Sequence, residues 1–318
     1  SNYFSQYKSI LFSLFFIFYP SHDTTTYWYI TITYILVPAL IMYSHHLIHK
    51  KFYNRGFIIN LFACFAFYTS PPFVFGLSII FLLNKEIKKF FYFVLPGIFY
   101  LFYYFFFYFF TRDIERRISE EVSFLKFIKN CIIQFLSAID AAIGPSFWLK
   151  IYWSTTYLSL FTFIISLVVI IFFIFANTNE KSKKSPDLLI AFFTTFILSI
   201  LMIALTGEYT QTAFNLGNRI TTYISILISF LIINYINSRK LLSIIMIIFF
   251  LPIFGISDYW KSWNNKQIKI LANIDNNSLL EQLKPEDTLI IYNNAYSKFG
   301  PFDHIEFFSM PWNVKSIF

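Results

Sequence analysis

An all-α polytopic membrane protein of about nine transmembrane helices, followed by a small α/β extracytoplasmic C-terminal domain, is the fold class this sequence predicts. Three observations predict it. The chain of 318 residues is 57% hydrophobic and 13% charged, about half the charge of an ordinary soluble domain at roughly 25%. Its apolar runs are continuous rather than alternating and recur to about Ile256, and in lipid such runs satisfy their backbone groups as helices. From Asp258 onward the composition turns mixed and polar. The predicted division is therefore a transmembrane domain, 1–257, and a soluble piece, 258–318. With no initiator Met and a stop at Phe318, a fragment of a longer chain is expected.

Taken in order, the first helix is expected over Tyr3–Tyr19, then the polar loop Pro20-Ser21-His22-Asp23-Thr24-Thr25-Thr26-Tyr27, then a helix to Ile48 kinked at Pro38. His45, His46 and His49 close that helix; their spacing admits a metal, but an interfacial helix end whose C-terminal dipole favours cations is the simpler account. The run Phe57–Leu83 has lysines on both flanks, so one crossing would break the positive-inside rule. Pro71-Pro72 resolves this by dividing it into two short helices, about 57–69 and 73–83. Phe90–Phe110 is the next span. From Thr111 to Asn130, Ile114, Ile118, Val122, Leu125 and Ile128 recur at helical spacing and predict an amphipathic interfacial helix. Cys131–Lys150, interrupted by Gln134, Asp140 and Gly144-Pro145, is expected to be re-entrant or interfacial rather than spanning. Thr155–Ala176, Leu188–Leu205, Ile220–Ile236 and Leu241–Ile256 complete the crossings. In the tail, 268–283 reads as a helix, with strands at 288–292 and 305–308.

The net charge of +8 is not a nucleic-acid footprint, because the basic residues sit in short loops between apolar runs, the pattern of topology-setting charge. The loops near 50–55, 84–89, 177–187 and 237–240 hold eleven Lys/Arg against Glu86, Glu180 and Asp187. That face is expected to be cytoplasmic. The opposite face gathers the Asp23 loop, Asp140, the Glu208–Arg219 loop and the tail. Walker A, GxGxxG, haem and zinc patterns do not occur, which disfavours nucleotide hydrolysis and electron transfer. Cys64 and Cys131 lack ligand spacing and read as free buried thiols.

A carboxylate at the membrane surface, an arginine and aromatic walls suit a lipid-linked substrate. The arginine fork matches a lipid phosphate, the carboxylate removes a proton from an attacking hydroxyl, and aromatic rings stack on sugars. With this layout the chain resembles the GT-C superfamily of integral-membrane glycosyltransferases. In that family an Asp in the first extracytoplasmic loop is catalytic. The matching position is Asp23, with His22 beside it, although the loop here is shorter than the family's usual one. The paired short helices at 57–83 and the small terminal domain at 258–318 are similar to the family's architecture. The resemblance implies a polyprenyl-phosphate sugar donor and a glycan, lipid or protein acceptor, at an inner or cytoplasmic membrane with the C-terminal domain outside. Arg219, Glu208, Tyr27, Trp28 and Asp140 are the expected substrate-binding residues. No cofactor is implied, and a divalent cation is compatible with the scheme. Two other classes compete: a non-catalytic subunit of a larger membrane complex, and a transporter, whose repeated halves are not visible here.

Overall fold

A computed structural model describes residues 4–27, 31–110, 123–176, 185–206, 209–278, Gln282 and Phe302. Among them every regular element is helical. The helices are α1 (Gln6–Ile17), the single turn α2 (Thr24–Tyr27), α3 (Thr33–His49), α4 (Tyr53–Ala66), α5 (Ser70–Leu83), α6 (Ile87–Phe110), α7 (Phe124–Ile143), α8 (Pro145–Thr156), α9 (Leu160–Ala176), α10 (Pro186–Thr206), α11 (Thr222–Tyr235) and α12 (Arg239–Asp275). The expected strands at 288–292 and 305–308 lie outside the described residues, as does the amphipathic stretch over 111–122.

Local chemistry sets the boundaries. Ser5, Ser123 and Ser238 cap α1, α7 and α12, each hydroxyl accepting from the backbone N–H three residues on. The break expected at Pro71-Pro72 falls earlier, at Phe67–Thr69. The two prolines sit in the first turn of α5, where their missing N–H groups cost nothing. The turns α3–α4 and α5–α6 are built alike: Lys51 (φ 67°) and Lys85 (φ 57°) adopt the left-handed conformation. After each, the next N–H reaches back five residues, Phe52 to Leu47 at 2.9 Å and Glu86 to Phe81 at 2.8 Å, closing a Schellman motif. The last helix does not stop at Ile256: α12 runs unbroken through 257–258 to Asp275.

Five stretches of the described residues are long and apolar enough to cross a membrane, by length and composition: Ile87–Phe107, Phe124–Thr156, Pro186–Thr206, Leu216–Tyr235 and Arg239–Asp275. Gln6–Ile17, Ser70–Leu83 and Leu160–Phe175 are shorter apolar helices. The helices turn large apolar side chains outward, among them Phe102, Phe161, Phe172 and Phe175, and enclose Ser44, Asn60, Thr195, Ser199 and Ser225. Water would penalise such an exterior by about 25 cal/mol per Å²; lipid does not. Inside, small and polar groups join the helices, with Ser44 Oγ donating to the Gly56 carbonyl (2.7 Å) and Asn60 Nδ2 to that of Phe93 (2.6 Å).

The bundle has two chemically distinct ends. At one, His45 stacks on Phe81 with centroids 4.3 Å apart, and Arg239 Nη2 donates to the Ile174 carbonyl at 3.1 Å. This basic end gathers the turns that carry Lys50, Lys51, Lys85 and Arg239. At the other, the Tyr223 hydroxyl donates to the Thr69 carbonyl (2.8 Å) and Gln134 Nε2 to that of Tyr209 (2.5 Å). The α7–α8 pair stays with this second end along its length: Asn130 Nδ2 donates to the Ala204 carbonyl at 3.2 Å, and the Tyr19 hydroxyl to that of Ala142 at 2.6 Å.

Candidate functional site

Asp23 lies at the second end, and the chain around it is tied down from several directions. Pro20 opens a 3-10 turn, Pro20–His22, whose fixed φ suits that position. Ser21 Oγ donates to the Ala141 carbonyl, and Thr221 Oγ1 donates to the Ser21 carbonyl at 3.0 Å. The Asp23 carbonyl then accepts from the N–H groups of Thr26 and Tyr27, both at 2.9 Å, which starts α2. The backbone thus caps the turn, and the side chain is left to point across the molecule.

Its carboxylate is 1% exposed and meets three donors. Oδ1 accepts from Lys150 Nζ at 2.5 Å and from Asn218 Nδ2 at 2.6 Å; Oδ2 accepts from Trp260 Nε1 at 3.2 Å. Lys150 is fully buried. Its ammonium also donates to the Ala213 carbonyl at 2.5 Å and lies over the rings of Phe214 and Phe302, 5.5 and 5.7 Å from their centroids. Two opposite charges are thereby withdrawn from solvent together, the condition under which a buried pair is tolerated. The pair joins α8, the 3-10 turn Leu216–Thr221 and α12 to the first interhelical segment.

His22 is also buried. Its Nδ1 shares a 2.8 Å hydrogen bond with Thr25 Oγ1, and its ring stacks on Tyr19 at 6.0 Å. Burial pushes the imidazole down to about 4, against the opposing pull of the Phe16 and His22 carbonyls and of Asp23. At neutral pH it is uncharged.

Arg219 follows Asn218 on the same 3-10 turn but faces elsewhere. Its guanidinium carbon lies 4.9 Å from the Tyr209 centroid and 6.0 Å from that of Tyr34. Its Nε is buried without a hydrogen-bond partner, and among the described residues no carboxylate pairs with it. The Tyr34 hydroxyl is 2.5 Å from that of Tyr68, and Tyr68 opens an apolar cleft of about 290 Å³ walled by Pro71, Pro72, Tyr100 and Met202.

The other expected site residues are dispersed. Tyr27 stacks on Trp260 at 6.3 Å and donates to the Ile253 carbonyl at 3.1 Å, so it stands one ring away from Asp23. Asp140 does not join them: its Oδ1 accepts from the Ser146 N–H at 3.1 Å and thereby caps the start of α8 across the Gly144 break. Glu208 and Trp28 lie outside the described residues. Lys150, Asn218 and Trp260, the direct partners of Asp23, are the site residues that sequence reasoning did not single out. For Lys150 a signal existed, a lone cation within an apolar stretch.

Together, the lipid-compatible exterior and the charged pair buried at one end point to a membrane-embedded protein whose described elements are all helical. No protein family, curated protein or solved structure matches the chain.

Proposed function

We propose that the chain is a membrane glycosyltransferase, moving a sugar from a polyprenyl-phosphate-linked donor to an extracytoplasmic glycan, lipid or protein acceptor. The observation that carries this reading is a relay of contacts between an apolar cleft and an arginine. The cleft beside α5 and α6 is lined by Tyr68, whose hydroxyl meets that of Tyr34, and the Tyr34 ring lies under Arg219. A prenyl chain matches the cleft, and its phosphate matches a guanidinium without a carboxylate partner among the described residues. Asp23 is linked to the same 3-10 turn through Asn218 and serves as the base once the acceptor displaces Lys150 from it. In this scheme α1, α3, α4, α5, α6, α9, α10, α11 and α12 make nine crossings. The pair α7–α8 stays in the extracytoplasmic interface, the basic end faces the cytoplasm, and 258–318 forms the outer α/β domain of an inner-membrane protein.

The test is transfer by purified protein in lipid nanodiscs supplied with polyprenyl-phosphate sugars. Asp23→Asn alone would strand the Lys150 charge, so the informative variant is Asp23→Asn with Lys150→Met, which removes both charges together. This variant is expected to fold and to transfer nothing; wild-type turnover would remove Asp23 as the base. Arg219→Gln is expected to raise the donor KM about tenfold or more, since a charge-assisted contact contributes roughly 1.5–3 kcal/mol. A second reading, a non-catalytic subunit of a larger membrane complex, is favoured by one observation: the Asp23 carboxylate is enclosed on all sides by protein donors. That reading expects no transfer from any donor and a partner that co-purifies.

A further inference from the structure

The basic end holds a second cavity, unconnected with the proposed sugar chemistry. About 470 Å³ of space lies between α1 and α3, floored by Leu77 of α5 and Phe192 of α10. Ala39 and Tyr43 stand exposed at its mouth, so in a membrane the cleft opens sideways to lipid. Its lining is graded along α3. His45, His46 and His49 border the end near the basic turns, whereas Ala39, six residues before His45, lies about 9 Å further along the helix at 1.5 Å per residue among apolar walls.

His45 makes the cleft more than a packing gap. The side chain is 7% exposed, sandwiched against Phe81 and Phe93, and its Nε2 has no hydrogen-bond partner. A buried polar atom left unsatisfied is costly, so the lining calls for a polar group from a ligand. The sign of that group follows from the surroundings. Lys50, Lys51 and Lys85 occupy the adjoining turns and Lys88 the first turn of α6, while Glu86 and Lys89 pair with each other at 2.5 Å. Among the described residues no group of three His, Cys, Asp or Glu is placed to hold a metal ion.

We propose that this cleft binds one anionic phospholipid from the leaflet at the basic end. The headgroup phosphate accepts from the Nε2–H of His45 and from His46, and an acyl chain runs between α1 and α3 toward Ala39. The juxtaposition of a donor-bearing head end next to the basic turns with an apolar, laterally open tail end is what selects an amphiphile over a soluble anion.

Native mass spectrometry of the full chain, released from detergent after titration with phosphatidylglycerol, phosphatidylcholine or inorganic phosphate, tests this. Wild-type protein is expected to retain one phosphatidylglycerol about tenfold more tightly than phosphatidylcholine, a difference of about 1.4 kcal/mol. His45→Phe and Ala39→Trp are expected to lose it, the first by removing the donor and the second by plugging the mouth. Ala39 is exposed, so its variant keeps the test valid if the buried substitution fails to fold. Equal retention of both lipids, retention by Ala39→Trp, or displacement by millimolar inorganic phosphate would each overturn the proposal. Sugar transfer is not part of the readout, so its failure leaves this result untouched.

Discussion

At the scale of single residues, the Asp23–Lys150 pair is the costliest commitment in the chain. Taking both charges out of water is repaid by their attraction and by the further contacts to Asn218, Trp260 and Ala213. Removing one partner leaves the other buried and unpaired, at about 3–5 kcal/mol. Lys150→Met is therefore expected to lower the Tm in detergent substantially, and Asp23→Asn with Lys150→Met to recover most of the loss. A double variant no more stable than Lys150→Met would show that the two charges do not act as a pair. His22 adds a pH term. Its folded-state value, about 4, lies below the ordinary value near 6.5. Above about pH 6.5 the imidazole is neutral folded or unfolded, and stability is unaffected. Below that, the unfolded chain takes up a proton that the folded chain refuses, so stability falls until about pH 4 and then levels, by on the order of 3 kcal/mol. Thermal melts of wild type and His22→Gln between pH 7.5 and 4 should show a shallower decline in the variant. The sequence made Asp23 conspicuous, because a polar loop between hydrocarbon runs is conspicuous. It gave no hint that Asn218 or Trp260 would reach Asp23, since those contacts join positions roughly two hundred residues apart.

At the scale of elements, hydropathy and proline placement made the helices legible, while their ends depended on capping that periodicity does not report. The division of Phe57–Leu83 into two helices stands, with the break three residues before the prolines. The stretch Cys131–Lys150, expected to be re-entrant or interfacial, lies within two helices that meet at Gly144-Pro145. Ile256 read as a terminus because hydrophobicity ends there, yet amphipathic spacing lets α12 continue to Asp275. Helix contacts were illegible because they rest on backbone proximity. At Gly255 an added Cβ would lie 1.8 Å from the Ser154 carbonyl oxygen, and at Gly76 2.8 Å from the Thr195 Cα. A backbone atom cannot swing aside as a side chain does. Gly255→Val is thus expected to force α12 away from α8, the helix that carries Lys150, and to destabilise by about 1–3 kcal/mol. A Tm equal to that of wild type would show that the two helices are not held at this distance.

At the scale of the whole molecule, the distribution of charge and the packing agree on two unlike ends, although they were obtained from different information. Loop charges alone placed the 50–55, 84–89 and 237–240 segments together, and the described turns of those segments do share one end of the bundle. The Asp23, Asn218 and Trp260 side chains share the other. Which end faces the cytoplasm is a separate matter, and site-specific labelling decides it. In a background with Cys64 and Cys131 replaced by alanine, single cysteines at Lys51 and Lys85 would report the basic end, and at Asn215 and Asn276 the opposite one. A membrane-impermeant maleimide added to intact cells is expected to label the second pair, while the first pair reacts only after the membrane is opened. Asn215 is exposed just before the 3-10 turn that carries Asn218 and Arg219, so its reactivity reports directly on the layer that contains Asp23. Labelling of Lys51→Cys from outside would turn the protein over and place Asp23 in the cytoplasm, where an extracytoplasmic acceptor could not reach it. Labelling of Lys51→Cys and Asn215→Cys from the same side would instead mean that an even number of helices crosses between them, against the five of the proposed scheme.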